Sequence, residues 1–150
     1  MPVSALLATV RDLLAMKNSA VVYSCAPETT VAEACRMLRD RRVGCLLVLR
    51  DGEVLGLVSE REVALRVAAN AADLRRVRVT EILEERVATL PLDARVEEVE
   101  ELFRSRRTRY LAVVGGRGLL GIVSQGDLAR FLAARERART RPLEPDLRPA

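Results

Sequence analysis

Gly56-Leu57-Val58-Ser59-Glu60-Arg61-Glu62-Val63 returns as Gly121-Ile122-Val123-Ser124-Gln125-Gly126-Asp127-Leu128, an offset of 65 between positions 56 and 121. The same offset lays Val31 on Val96, Glu33 on Glu98, Leu38 on Phe103, Arg41-Arg42 on Arg106-Arg107, Leu46 on Leu111 and Val48 on Val113. Upstream, Val10-Arg11-Asp12-Leu13-Leu14 resembles Val79-Thr80-Glu81-Ile82-Leu83 at an offset of 69. The second copy is therefore a few residues shorter before its first strand. A register held this long marks a tandem repeat of two units.

Working outward from the repeated segment, each unit reads β, α, β, β, α. In the first, a β-prone run from Ala20 to Ser24 ends at Cys25-Ala26-Pro27, and Thr30-Val31-Ala32-Glu33 is a capping box opening a helix. Strands Cys45–Leu49 and Val54–Val58 meet at Asp51-Gly52, residues that tolerate the positive φ of a tight hairpin, and a helix runs from Glu60 to about Ala69. The second unit repeats strand Val87–Leu90, helix Arg95–Arg106, strand Tyr110–Val114, a turn at Gly115-Gly116-Arg117-Gly118, strand Leu119–Val123 and helix Gln125 to about Arg139. The glycine-rich turn lacks the phosphate-loop pattern and joins two strands, so it reads as a hairpin.

The expected class is α+β, two β-α-β-β-α repeats packed as a pseudo-two-fold pair, because a unit of about 60 residues has only a thin core of its own. The boundaries read as 1–69 for the first repeat with its N-terminal helix, 70–78 for a linker and 79–134 for the second repeat. Residues 135–150 read as a basic helix end and a disordered tail holding Pro142, Pro145 and Pro149.

Composition narrows the function. The 150 residues include no His and no Trp, with 3% aromatics. Without imidazole there is no Ser/His/Asp triad, no Cys/His pair and no histidine metal ligand, so no catalytic or metal constellation can be assembled. Three cysteines without a C-x-x-C pair fit a reducing compartment; Cys35 and Cys45 read as core and Cys25 as the one reactive candidate. Met1-Pro2-Val3-Ser4 opens no secretory pattern and no apolar run approaches about 18 residues, so a cytoplasmic protein without membrane contact is expected. The net charge is +4, of which the tail from Arg135, with five Arg against Glu136, Glu144 and Asp146, supplies half. That leaves a body of mixed sign, and nucleic-acid binding is disfavoured.

The segments Ser59-Glu60-Arg61-Glu62 and Ser124-Gln125-Gly126-Asp127 support two readings. Each has the S-x-x-acid form of a helix cap, which needs no ligand. Each also puts a hydroxyl and amide N–H groups at a helix N-terminus, suited to phosphate, with a carboxylate three residues on that accepts from a ribose diol.

The two copies together resemble the tandem cystathionine β-synthase (CBS) domain pair over about residues 6–134. The likeness rests on Gly-Leu-Val-Ser-Glu-Arg-Glu at 56–62, Gly-Ile-Val-Ser-Gln-Gly-Asp at 121–127, Arg41-Arg42-Val43-Gly44-Cys45-Leu46-Leu47-Val48 and Arg106-Arg107-Thr108-Arg109-Tyr110-Leu111-Ala112-Val113. The resemblance implies a homodimer that binds an adenosyl ligand in clefts between the repeats: AMP first, with ADP, ATP, NAD or S-adenosylmethionine as alternatives. It puts Ser124 near phosphate and Asp127 on ribose, with Thr89, Pro91, Arg109 and Tyr110 around the base. The first-repeat counterparts are Ser24, Ala26, Val43, Gly44, Ser59, Arg61 and Glu62. Glu62 stands where the family has aspartate, and its extra methylene shifts a bidentate contact by about 1 Å, so this site ranks second. Tyr110 and Ala112 replace the His and Pro often found in the second repeat.

The leading expectation is a non-enzymatic sensor of an adenine nucleotide acting on an unknown partner. The alternative is a ligand-free interaction module in which Ser59 and Ser124 only cap; nucleic-acid binding through the Arg-rich C-terminus stands third.

Overall fold

The computed structural model describes residues 7–17 and 21–140. The expected disordered tail beyond 140, and Ala20 of the first expected strand, lie outside the described residues. The elements are α1 (Val10–Met16), β1 (Ser24–Cys25), α2 (Val31–Arg41), β2 (Cys45–Arg50), β3 (Glu53–Ser59), α3 (Glu60–Glu62), β4 (Thr89–Leu90), α4 (Val96–Arg106), β5 (Tyr110–Gly115), β6 (Gly118–Ser124) and α5 (Gln125–Thr140). They form two compact units, 21–87 and 1–20 with 88–150. The α+β class and the order within each repeat are as the sequence indicates.

In the unit of residues 21–87 the sheet order is β1-β2-β3, with β1 parallel and β3 antiparallel to β2. Alternation along the strands turns Leu46, Val48 and Val58 inward with Cys25, where they join Val31, Ala34 and Leu38 of α2. The Asp51-Gly52 turn has φ of 49° and 81°, the left-handed geometry that a two-residue hairpin requires. Thr30 Oγ1 accepts from the Glu33 amide at 3.2 Å and Glu33 Oε2 from the Thr30 amide at 2.9 Å, completing the capping box.

The helix expected over Glu60–Ala69 is present but irregular. After α3 the chain widens into a π-helical turn, Val63–Val67, and closes with a 3-10 turn, Ala68–Asn70. Glu62 and Val67 are both buried while Leu65 is exposed. In a regular helix, residues five apart diverge by about 140° around the axis, so both could not face inward; the wider turn aligns them.

The unit of residues 1–20 and 88–150 repeats the pattern, with sheet order β4-β5-β6. Leu90, Leu111, Val113 and Val123 face a core shared with Val96, Val99 and Phe103 of α4 and Leu128 and Phe131 of α5. Gly115 pairs with Gly118 across the turn, as expected of a hairpin.

One boundary departs from the order of the repeats. In the N-terminal helix α1, Val10 and Leu13, both fully buried, belong to the core of the second-repeat unit. The amide of Val10 donates to Ala94 O at 2.9 Å and that of Val96 to Ala8 O at 3.0 Å. Residues 77–83, which precede the second repeat, make the corresponding bonds in the other unit. There the Val79 amide donates to Thr29 O at 2.9 Å and the Val31 amide to Val77 O at 2.8 Å, and Val79, Ile82 and Leu83 join that core. The expected linker 70–78 is thus largely tied down. Each core needs an apolar lead-in segment, and burial is indifferent to which copy supplies it.

Candidate functional site

Asp127 lies in the first turn of α5, and its neighbourhood follows from the β5/β6 register, which sets Tyr110 opposite Ser124. The Ser124 amide donates to Asp127 Oδ2 at 2.8 Å, and the Asp127 amide donates to Ser124 Oγ at 3.0 Å. The capping arrangement read from the sequence is therefore formed. Two cations complete the shell. Lys17 Nζ, just past the end of α1, is 2.8 Å from Asp127 Oδ2 and donates to Ile122 O at 2.7 Å. Arg130 Nη2 is 2.6 Å from Asp127 Oδ1. Burial works against ionisation of Asp127, but the bonds from Lys17 and the Ser124 amide, with the Lys17 charge, outweigh it and hold the carboxyl below its ordinary value.

Around this pair the Gln125 amide donates to Arg109 O at 3.0 Å, and Gln125 Nε2 to Thr108 O at 2.8 Å, which ties the start of α5 to the entry of β5. Arg109 is exposed and Tyr110 half-buried. Thr89, also exposed, sits opposite Ala112, two residues along from Tyr110. Pro91 follows directly after β4, whose last residue, Leu90, pairs with Val113.

The first-repeat counterpart has the same backbone and a different charge pattern. Cys45 pairs with Ser59, and the Glu60 amide donates to Gly44 O at 3.3 Å. The Ser59 amide donates to Glu62 Oε2 at 2.7 Å, Ser59 Oγ donates to the same oxygen, and the Arg61 amide reaches Ser59 Oγ at 3.3 Å. Ser24, Ala26 and Arg61 are exposed, whereas Val43 packs on the hydrophobic core. In place of a lysine, Glu62 has Glu84 nearby. Burial first, and then the Glu62 charge, push the Glu84 carboxyl above its ordinary value, with Arg61 and Arg66 acting against them. Cys25, the reactive candidate, is buried, and burial raises its thiol, which makes it a poor nucleophile.

Lys17, Arg130 and Glu84 are the residues that sequence reasoning missed. Arg130 stands three positions after Asp127 on one helix and was within reach of an i,i+3 search. Lys17 carries no such signal, being 110 positions from its partner.

Two copies of one β-α-β-β-α unit, each closing on a serine-capped helix with a buried acid, place the molecule among tandem regulatory modules. The chain belongs to the CBS-domain family, whose model matches residues 9–69 and 79–134. It is similar to the CBS domain-containing protein YhcV of Bacillus subtilis, 29% identical over 108 residues, 72% of this chain and 76% of the relative. The uncharacterized protein YlbB of the same organism is 32% identical over 132 residues, 86% and 85% of the two chains. Among solved structures, a protein with CBS domains from Burkholderia ambifaria superposes with a TM-score of 0.80 at 28% identity, covering 85% of this chain and 95% of its own. A CBS-domain protein from Agrobacterium tumefaciens gives 0.77 at 26%, covering 83% and 99%. Tandem CBS domains indicate a regulatory, signal-transduction type of module, and such domains commonly bind adenosyl ligands. No helix among the described residues is long and apolar enough to cross a membrane.

Proposed function

We propose that the protein is a non-enzymatic sensor whose second-repeat unit binds an adenine nucleotide, AMP foremost, at Ser124 and Asp127. The supporting observation is the first turn of α5, where an ionised carboxylate, a hydroxyl and helix N-terminal amide groups lie together beside half-buried Tyr110. Phosphate is attracted to the helix N-terminus. The carboxylate accepts from the ribose hydroxyls, and Thr89, Arg109 and Tyr110 flank the base. Binding shifts the population toward the conformation in which these groups converge, and the homodimer passes that shift to a regulated protein. With Glu62 beside Glu84, the first-repeat site is the weaker one.

The test is thermal unfolding with AMP, ADP, ATP, NAD and S-adenosylmethionine on wild type and Asp127→Ala. At about 1 mM, a ligand with a Kd of about 10 μM stabilises by roughly 2.7 kcal/mol, a shift of several degrees. The shift is expected with at least one ligand and is expected to vanish in Asp127→Ala, whose ligand-free midpoint is itself lower. No shift with any ligand, together with an oligomeric state that ignores nucleotide, would instead establish an interaction module in which the serines serve as caps.

A further inference from the structure

We propose that Arg130 selects the ligand class of the second-repeat site, by leaving Asp127 for the ligand's phosphate, so that phosphorylated adenosyl compounds are preferred over adenosine. This rests on the reading of Asp127 as the ribose acceptor. The Asp127 carboxylate is already engaged on both oxygens: Oδ2 by the Ser124 amide and Lys17, Oδ1 by Arg130. Those three bonds leave one acceptor position, on Oδ1, so a diol that donates both hydroxyls there displaces Arg130.

The two cations are not equally held. The Lys17 side chain is 27% exposed and anchored a second time on Ile122 O, whereas the Arg130 side chain is 68% exposed, with Asp127 as its ion-pair partner. Of the two cations Arg130 is the one with its charge in solvent and no second anchor among the described residues, so it is the one a ligand displaces. Asp127 meanwhile stays paired with Lys17.

The displaced guanidinium has a short path. A Cβ built on Gly126 would lie 3.3 Å from Arg130 Nη1 and 3.6 Å from Ser124 Oγ, so the guanidinium rests over the bare first turn of α5, beside the hydroxyl assigned to phosphate. A planar guanidinium suits bidentate contact with phosphate oxygens. At the repeat offset of 65, Arg130 corresponds to Leu65 and Gly126 to Arg61. The first repeat therefore has neither the mobile cation nor the bare turn at these positions.

Calorimetric titration with AMP and with adenosine tests this on wild type, Arg130→Gln and Arg117→Gln. Arg117 lies in the β5/β6 turn, at the opposite end of the hairpin from Ser124, and its loss controls for net charge. Wild type and Arg117→Gln are expected to favour AMP by about tenfold or more. In Arg130→Gln most of that preference is expected to disappear, with adenosine affinity unchanged or improved. An unchanged AMP-to-adenosine ratio in Arg130→Gln, or a parallel loss of both affinities, would overturn the assignment. Wild type binding both equally would overturn it while leaving the nucleotide site standing. Wild type binding neither would overturn the site and the assignment together.

Discussion

The carboxylates three residues after the capping serines have different neighbours in the two repeats: Asp127 is paired with Lys17 and Arg130, whereas the Glu62 charge acts on Glu84. Asp127 ionises more readily in the folded protein than in the unfolded chain, so its contribution to stability is full at neutral pH. It is lost as pH falls from the ordinary carboxylate value through the lowered folded one. Asp127→Asn is expected to cost about 1–3 kcal/mol at pH 7 and to flatten the acid limb of a urea-unfolding series; an unchanged limb would show that the Lys17 bond is not formed in solution. Glu84 behaves with the reverse sign. Its raised folded value makes the charged form a cost above that value, relieved as pH falls through it. Glu84→Gln should therefore raise the unfolding midpoint at pH 7 and lose its advantage toward pH 4.5; destabilisation at pH 7 would contradict the placement beside Glu62. The serine-acid spacing was legible at this scale, and so was the i,i+3 relation of Arg130 to Asp127, but Lys17 and Glu84 were not, since they arrive from other elements of the chain.

At the scale of elements, the repeats share a backbone plan and differ in what crosses it. Gly56 and Gly121 occupy the same position in β3 and β6. A Cβ on Gly56 would lie 2.5 Å from the backbone oxygen of Glu84, where the Leu57 and Glu84 backbones are bonded at 2.8 and 3.0 Å. On Gly121 it would meet the Leu14 side chain at 3.3 Å. Backbone cannot yield as a side-chain end can, so Gly56→Ala is expected to destabilise by about 3 kcal/mol and Gly121→Ala by about 1. Chemical denaturation checks this, and equal effects would refute the difference in crossing segments. The strands, both hairpin turns and the capping box at Thr30 were readable because each depends on local residue types. The π-helical turn after Glu62 was not, because its cause is the joint burial of Glu62 and Val67.

At the scale of the whole molecule, the lead-in segments are exchanged relative to the order of the repeats. The consequence is measurable: Leu13→Ala removes a fully buried side chain from the core that holds Val96, Val99 and Val123. A cost of about 2–5 kcal/mol is expected, with lost hydrogen-exchange protection in β5, β6 and α4. Loss concentrated in β2 and β3 would mean that α1 packs with its own repeat.

The sequence by itself determined the duplication, the α+β class, the element order, the serine-capped helix starts and, through the matched motifs, the CBS family. These follow from periodicity, turn chemistry and spacing, which act over a few residues or repeat at a constant offset. Only the tertiary structure decided that residues 8–17 complete the second-repeat core and 77–83 the first, and that Lys17 reaches the Asp127 carboxylate while the Glu62 charge acts on Glu84. The reason is physical. Apolar burial and ion pairing reward proximity in space whatever the separation along the chain, and one chain read alone carries no record of which distant segments meet.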